Sequence, residues 1–96
     1  MRVRFTPSAD REFLDAIAFI RQESPMAADA LLSRSEDGLR QLRDFPSSGR
    51  VVPEFPDRPY REVLVNPYRL FYRITSDSVW IVAVWHERQV PTQPVA

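Results

Sequence analysis

The apolar residues of this chain change their spacing once, and that change constrains the fold more than any motif does. From Pro7 to Asp44 they recur every three or four positions, and from Tyr60 to His86 they alternate. Helical elements therefore precede extended ones, and both must share one core. Thr6 before Pro7 is a helix start, because a hydroxyl caps free N–H groups of the first turn and proline is tolerated at the first helical position. Ala9, Phe13, Ala16, Ile17 and Ile20 then mark one face of a helix predicted over Pro7 to Gln22. Ser24 and Pro25 repeat the signal, and Ala28, Leu31, Leu32, Ser35, Leu39 and Leu42 form a second stripe ending near Asp44. The short connection makes the pair an antiparallel hairpin. Gly38 costs this second helix roughly 1 kcal/mol relative to alanine. It either permits close packing or is tolerated on an exposed face.

The remaining segments read as strands. Arg2 to Phe5 alternates charged and apolar residues, as a short strand with one apolar face does. Phe45 to Pro59 is irregular, with Pro46, Pro53, Pro56 and Pro59, so any strand at Arg50 to Val52 is short or lies at an edge. Tyr60 to Val65, Tyr68 to Ile74 and Val79 to His86 form an antiparallel meander, separated by Asn66-Pro67 and by Thr75 to Ser78. The expected fold is α+β with two layers: an N-terminal strand, a helical hairpin and a mostly antiparallel sheet in a single domain over 1–96. The tail from Gln89 to Ala96 has little to bury and is expected to fray.

Parity assigns the sheet faces. If both turns close evenly, Val63, Val65, Leu70, Tyr72, Ile74, Val79, Ile81, Ala83 and Trp85 face the helices, with Tyr68 and Arg61 toward the ends of that face. Tyr60, Glu62, Leu64, Arg69, Phe71, Arg73, Trp80, Val82, Val84 and His86 then share the other face, which two helices cannot also cover. A one-residue bulge would exchange these sets.

Composition removes several function classes. With 96 residues the chain buries roughly 65% of its unfolded surface, enough for one two-layer core and not for a large substrate cavity. There is no cysteine and one histidine, which excludes disulfides, a thiolate nucleophile and His/Cys zinc motifs. No cofactor or metal is expected. No apolar run is long enough to span a membrane, and the chain reads as soluble and cytoplasmic. All thirteen positive charges are arginine, against thirteen carboxylates, for a net charge of zero. A neutral domain lacks the global field that sequence-independent nucleic-acid binding uses, although a local arginine patch can still bind. Residues 1–44 carry seven arginines against eight acids and residues 45–88 six against five, so charge does not divide the chain into domains.

Gly49-Arg50, Pro53-Glu54, Tyr60-Arg61-Glu62, Tyr68-Arg69-Leu70-Phe71-Tyr72-Arg73 and Val84-Trp85-His86-Glu87-Arg88, in this order after the Thr6-Pro7 start, resemble the RelE/ParE toxin superfamily, most closely its ParE branch. The resemblance spans nearly the whole chain. It implies a type II toxin paired with a small antitoxin that wraps it in a hetero-oligomer. ParE-like members are similar in poisoning DNA gyrase, whereas RelE-like members cut mRNA on the ribosome. A family member that only binds its partner, without toxicity, is a third reading.

The candidate residues divide between these readings. RNA cleavage through the 2′-hydroxyl needs a base, an acid and a cation for the developing phosphorane charge. Arg69 and His86 match catalytic positions of the similar YoeB-like branch, and Glu54 or Glu62 could supply the base. That branch has a tyrosine after its histidine, where Glu87 stands here, and RelE-like nucleases resemble strongly basic proteins whereas this chain is neutral. Under the ParE reading no residue is catalytic. Arg69, Phe71, Arg73, Trp80, Val82, Val84 and His86 then form a partner-binding face, its arginines anchoring acidic groups and its apolar residues covered by the antitoxin. His86 has a plainer reading as an imidazole at a strand end hydrogen-bonded to a neighbouring carboxylate.

Overall fold

Both helix starts form as their residues require. Thr6 Oγ1 accepts from the Ala9 N–H at 3.2 Å and Ser24 Oγ from the Ala27 N–H at 3.1 Å. Pro7 and Pro25 occupy the first turns that follow. Ser24 also ends the first helix, its N–H donating to the Ile20 carbonyl at 2.9 Å. In the computed structural model, which describes residues 1–92, the order is β1 (Arg2–Phe5), α1 (Pro7–Glu23), α2 (Pro25–Asp44), a 3-10 turn (Pro46–Ser48), β2 (Arg50–Val51), β3 (Arg61–Val65), β4 (Tyr68–Ile74) and β5 (Ser78–His86). The two-layer α+β architecture is the expected one.

The sheet runs β1-β5-β4-β3-β2, with β1 parallel to β5 and every other pair antiparallel. β2 is two residues long and lies at the edge, where proline-flanked strands belong. Ala9, Ile17, Leu31 and Leu42 pack from the helices onto Val63, Val65, Leu70, Tyr72, Val79 and Ile81. Gly38 lies where α2 crosses β3. A methyl there would stand 3.2 Å from Val65 Cγ2, so the missing side chain serves close packing.

Two features overturn the expected open face. β5 carries a bulge: Phe71 pairs with Ala83 but Tyr72 pairs with Ile81, leaving Val82 as the extra residue. Beyond it the pleat reverses. Val84 and His86 turn to the helix side, and Ala83 and Trp85, expected under the helices, turn to the outer face. In addition, residues 52 to 60 fold back over the outer face. Val52, Tyr60, Phe71, Val82 and Ala83 form a second core there, flanked by Phe55, Trp80 and Trp85. Phe71 and Val82 are 0% and 1% exposed, so the apolar patch expected at these positions is not a surface. Pro53, Pro56 and Pro59 lack N–H donors, which makes this segment a strap rather than another strand.

The expected fraying at Gln89 does not begin there. Gln89 accepts from the His86 N–H at 2.8 Å through its side chain, Glu87 N–H donates to the Pro67 carbonyl at 2.8 Å, and Pro91 is buried. The part of that expectation concerning residues 93 to 96 lies outside the described residues.

Candidate functional site

The strap is held to the sheet by a chain of charges. Glu62 on β3 is fully buried and sits beside Arg69 of β4, because register pairs Glu62 with Phe71 and Leu64 with Arg69 on the outer face. Arg69 Nε donates to Glu62 Oε1 at 2.7 Å, while its Nη1 and Nη2 grip Glu54 of the strap at 2.9 and 2.6 Å. Arg50 Nε closes the network on Glu62 Oε2. The Arg69 guanidinium also lies 5.1 Å from the centre of the Phe71 ring. Hydrogen bonds from Arg69 hold the Glu54 carboxyl below the usual carboxylate value, against the opposing effect of partial burial. The same two carboxylates, Glu54 first, push the Arg69 pKa further upward. Two arginines and two carboxylates thus neutralise each other, with a bidentate fork at the centre.

Gly49 precedes this network and has no room for a side chain. A methyl there would fall 2.5 Å from both the Glu62 carbonyl oxygen and the Tyr72 hydroxyl. That hydroxyl accepts from the Gly49 N–H at 2.9 Å and donates to the Pro46 carbonyl at 2.7 Å, which pins the start of the strap to the sheet.

The four candidate nuclease residues are not assembled. Glu54, Glu62 and Arg69 come together, but they bind each other. Glu62 has both oxygens engaged in a dry environment, so it is not positioned as a base for a substrate hydroxyl. His86 stands on the opposite side of the sheet. It pairs with Tyr68 rather than Arg69, and its ring meets the Tyr68 ring edge-on at 5.4 Å. Its Nδ1 accepts from the Arg88 N–H at 3.1 Å. The ring thus sits at a strand end, with a backbone N–H as its partner and not the carboxylate expected there. The expectation that Glu62, Arg69 and His86 share one face fails because of the Val82 bulge.

The seven residues expected to bind a partner divide in the same way. Arg69 is in the network, Phe71 and Val82 are in the outer core, and Arg73 and Trp80 lie on the outer face. Val84 and His86 line a groove of about 540 Å³ on the helix side, together with Glu12, Ala16 and Phe19 of α1. β1 accompanies β5 only as far as Ile81, so the outer edge of β5 beyond it is open to this groove. The Val84 N–H on that edge donates to Glu12 Oε1 at 3.0 Å. Sequence reasoning missed the groove. Its signal was Phe19, which falls off the core stripe of α1 and is 61% exposed.

Among the described residues no group of three or more His, Asp or Glu side chains is placed to share a metal ion, and no helix is long and apolar enough to cross a membrane.

The chain is 34% identical over 92 residues to a Sinorhizobium fredii protein named "Putative toxin Y4kP", covering 92% of this chain and 90% of that protein. Its fold matches a chain of the solved chromosomal ParDE TA system from P. aeruginosa with a TM-score of 0.66, covering 90% of this chain and 95% of that one. At 19% identity this second likeness speaks for the fold alone. The family model for the ParE toxin of the type II toxin-antitoxin system matches residues 3–91, nearly the whole of the two-layer domain. The chain belongs to the ParE toxin family of type II toxin-antitoxin systems.

Proposed function

We propose that this toxin arrests growth by binding DNA gyrase and that a cognate antitoxin silences it by forming a hetero-oligomer. The observation that carries the reading is the placement of the charged residues. Every group a ribonuclease would draw on from Glu54, Glu62 and Arg69 is spent on holding the strap, and His86 lies across the sheet from them. The same residues that would cut RNA are here structural. Zero net charge leaves the chain without the global field that holds a protein on ribosomal RNA, whatever a local arginine patch binds.

The antitoxin seat we propose is the groove between α1 and the end of β5, not the outer face expected from parity. Ala16, Phe19 and Val84 give it an apolar lining, and Phe19 is too exposed to be explained by the core. An antitoxin segment laying apolar side chains against Phe19 gains burial that the free toxin lacks. Phe19→Asp tests this by co-purification with the product of the neighbouring small gene. The variant should keep its thermal transition and lose the antitoxin; a folded variant that still co-purifies at full yield contradicts the location. For the target, cells expressing the toxin alone should show broken DNA and an SOS response, with ribosome-bound messages intact by primer extension. Cut messages with intact DNA would contradict the gyrase reading.

A further inference from the structure

We infer that the outer face carries a second binding site, for the phosphate backbone of duplex DNA, built on Arg4, Arg73 and Arg58. Register places Arg4 of β1 and Arg73 of β4 on either side of Trp80 of β5, all three on the face away from the helices. Arg4 and Arg73 are therefore two strand spacings apart, roughly 10 Å. Beyond Arg73 the row continues into a cavity of about 270 Å³ lined by Arg58, Arg61 and Arg73 with Tyr60, and no carboxylate lines it. Arg61 is anchored there by its bond to the Gly49 carbonyl at 2.8 Å.

These cations have no acidic partners. Among the described residues Arg4, Arg58, Arg61 and Arg73 make no ion pair. The Arg4 guanidinium rests on the Trp80 ring at 5.6 Å, and its Nε is buried without an acceptor. Glu54 and Glu62 share this face but are neutralised by Arg69 and Arg50. The chain's charges are also segregated by layer. The two helices hold eight of the thirteen carboxylates and five arginines, whereas strands and loops hold five carboxylates and eight arginines. Zero net charge thus conceals net positive strands and loops and net negative helices.

The chemistry favours phosphates over an acidic protein segment. Phe71, Val82 and Val52 are already buried under the strap, and the exposed apolar side chains that remain, Leu64 on this face and Val51 and Ile74 at the cavity, are far fewer than a protein interface uses. What remains is a row of guanidinium groups, the group that pairs best with phosphate oxygens, extending over several strands as a run of phosphates does. The site lies on the opposite side of the sheet from the antitoxin groove and does not rest on the gyrase reading.

The test is fluorescence anisotropy of a labelled 20-base-pair duplex with the purified full chain, between 50 and 200 mM salt. Three phosphate contacts would give a slope of log affinity against log salt near −2.7, about a 40-fold loss over that range. Arg4→Gln/Arg58→Gln/Arg73→Gln should bind at least tenfold more weakly at 50 mM salt, with a slope shallower by about 2.7. Arg21→Gln/Arg40→Gln, on the helices, should bind as the unaltered chain does. Thermal transitions establish that each variant is folded, and single substitutions at Arg73 and Arg58, both exposed, replace the triple variant if it is not. No binding by the unaltered chain at 50 mM salt, or equal binding by the folded variants, overturns the proposal. So does binding of a labelled poly-glutamate peptide, but not of the duplex, through the same arginines.

Discussion

Arg69→Met removes the fork at the centre of the charge network and should destabilise the toxin severely. Arg69 makes all three of its nitrogen contacts to carboxylates, and its side chain is 9% exposed. Without it Glu62, with no exposed side-chain surface, keeps a single partner, Arg50, and Glu54 loses the bonds that bring the strap down. Breaking a buried pair from one side costs about 3–5 kcal/mol. The lower end applies, because Arg50 still reaches Glu62 and because Glu54, 33% exposed, can rehydrate. For a domain of this size 1 kcal/mol moves the thermal transition by about 4–8 °C, so the midpoint should fall by roughly 12–24 °C. Glu62→Met combined with Arg69→Met should fall less than Arg69→Met alone, since it leaves no buried charge unpaired. Circular dichroism melts of the three proteins decide it. A midpoint for Arg69→Met within about 4 °C of the parent, or a double variant no better than the single, would refute the account of the network.

Gly49→Ala forces a methyl onto the Glu62 backbone and the Tyr72 hydroxyl, and overpacking of this kind costs about 1–3 kcal/mol; a denaturant midpoint unchanged from the parent would contradict it. Because the folded Glu54 carboxyl lies below its ordinary value of 4.5, its contribution is complete above that pH and is lost as pH falls through the folded value. Glu54→Gln should therefore flatten the acid side of the stability–pH curve measured by urea unfolding. His86→Gln keeps an acceptor at a strand end that the network does not use, so growth arrest on induction should persist; a folded variant without toxicity would contradict the gyrase-binding reading.

The elements were legible in the sequence because each is announced locally. Thr6-Pro7 and Ser24-Pro25 start the helices through caps that involve only the next few residues. The faces of β3 and β4 follow from alternation, as Val63, Val65, Leu70 and Tyr72 confirm. Parity failed at Val82, where a bulge places one residue of β5 without a partner, an event no local pattern announces. The strap was also illegible. Proline explains why residues 52 to 60 make no strand, but only the tertiary pairing of Glu54 with Arg69 shows where they lie. Glu62 and Arg69 were expected on one face and lie together there, whereas Glu54 was not placed, and the mutual neutralisation of the three became visible only with the distances. Layered charge was hidden because β1, with Arg2 and Arg4, falls in the same half of the chain as both helices and offsets their carboxylates there.

The central claim is that this ParE-family toxin acts on gyrase without cutting RNA, and purified gyrase tests it most directly. Supercoiling of relaxed plasmid should be inhibited as the folded chain is titrated to equimolar with the enzyme, with cleaved plasmid accumulating and His86→Gln inhibiting as well as the parent. Undiminished supercoiling and intact plasmid at a large molar excess of folded toxin would contradict the claim.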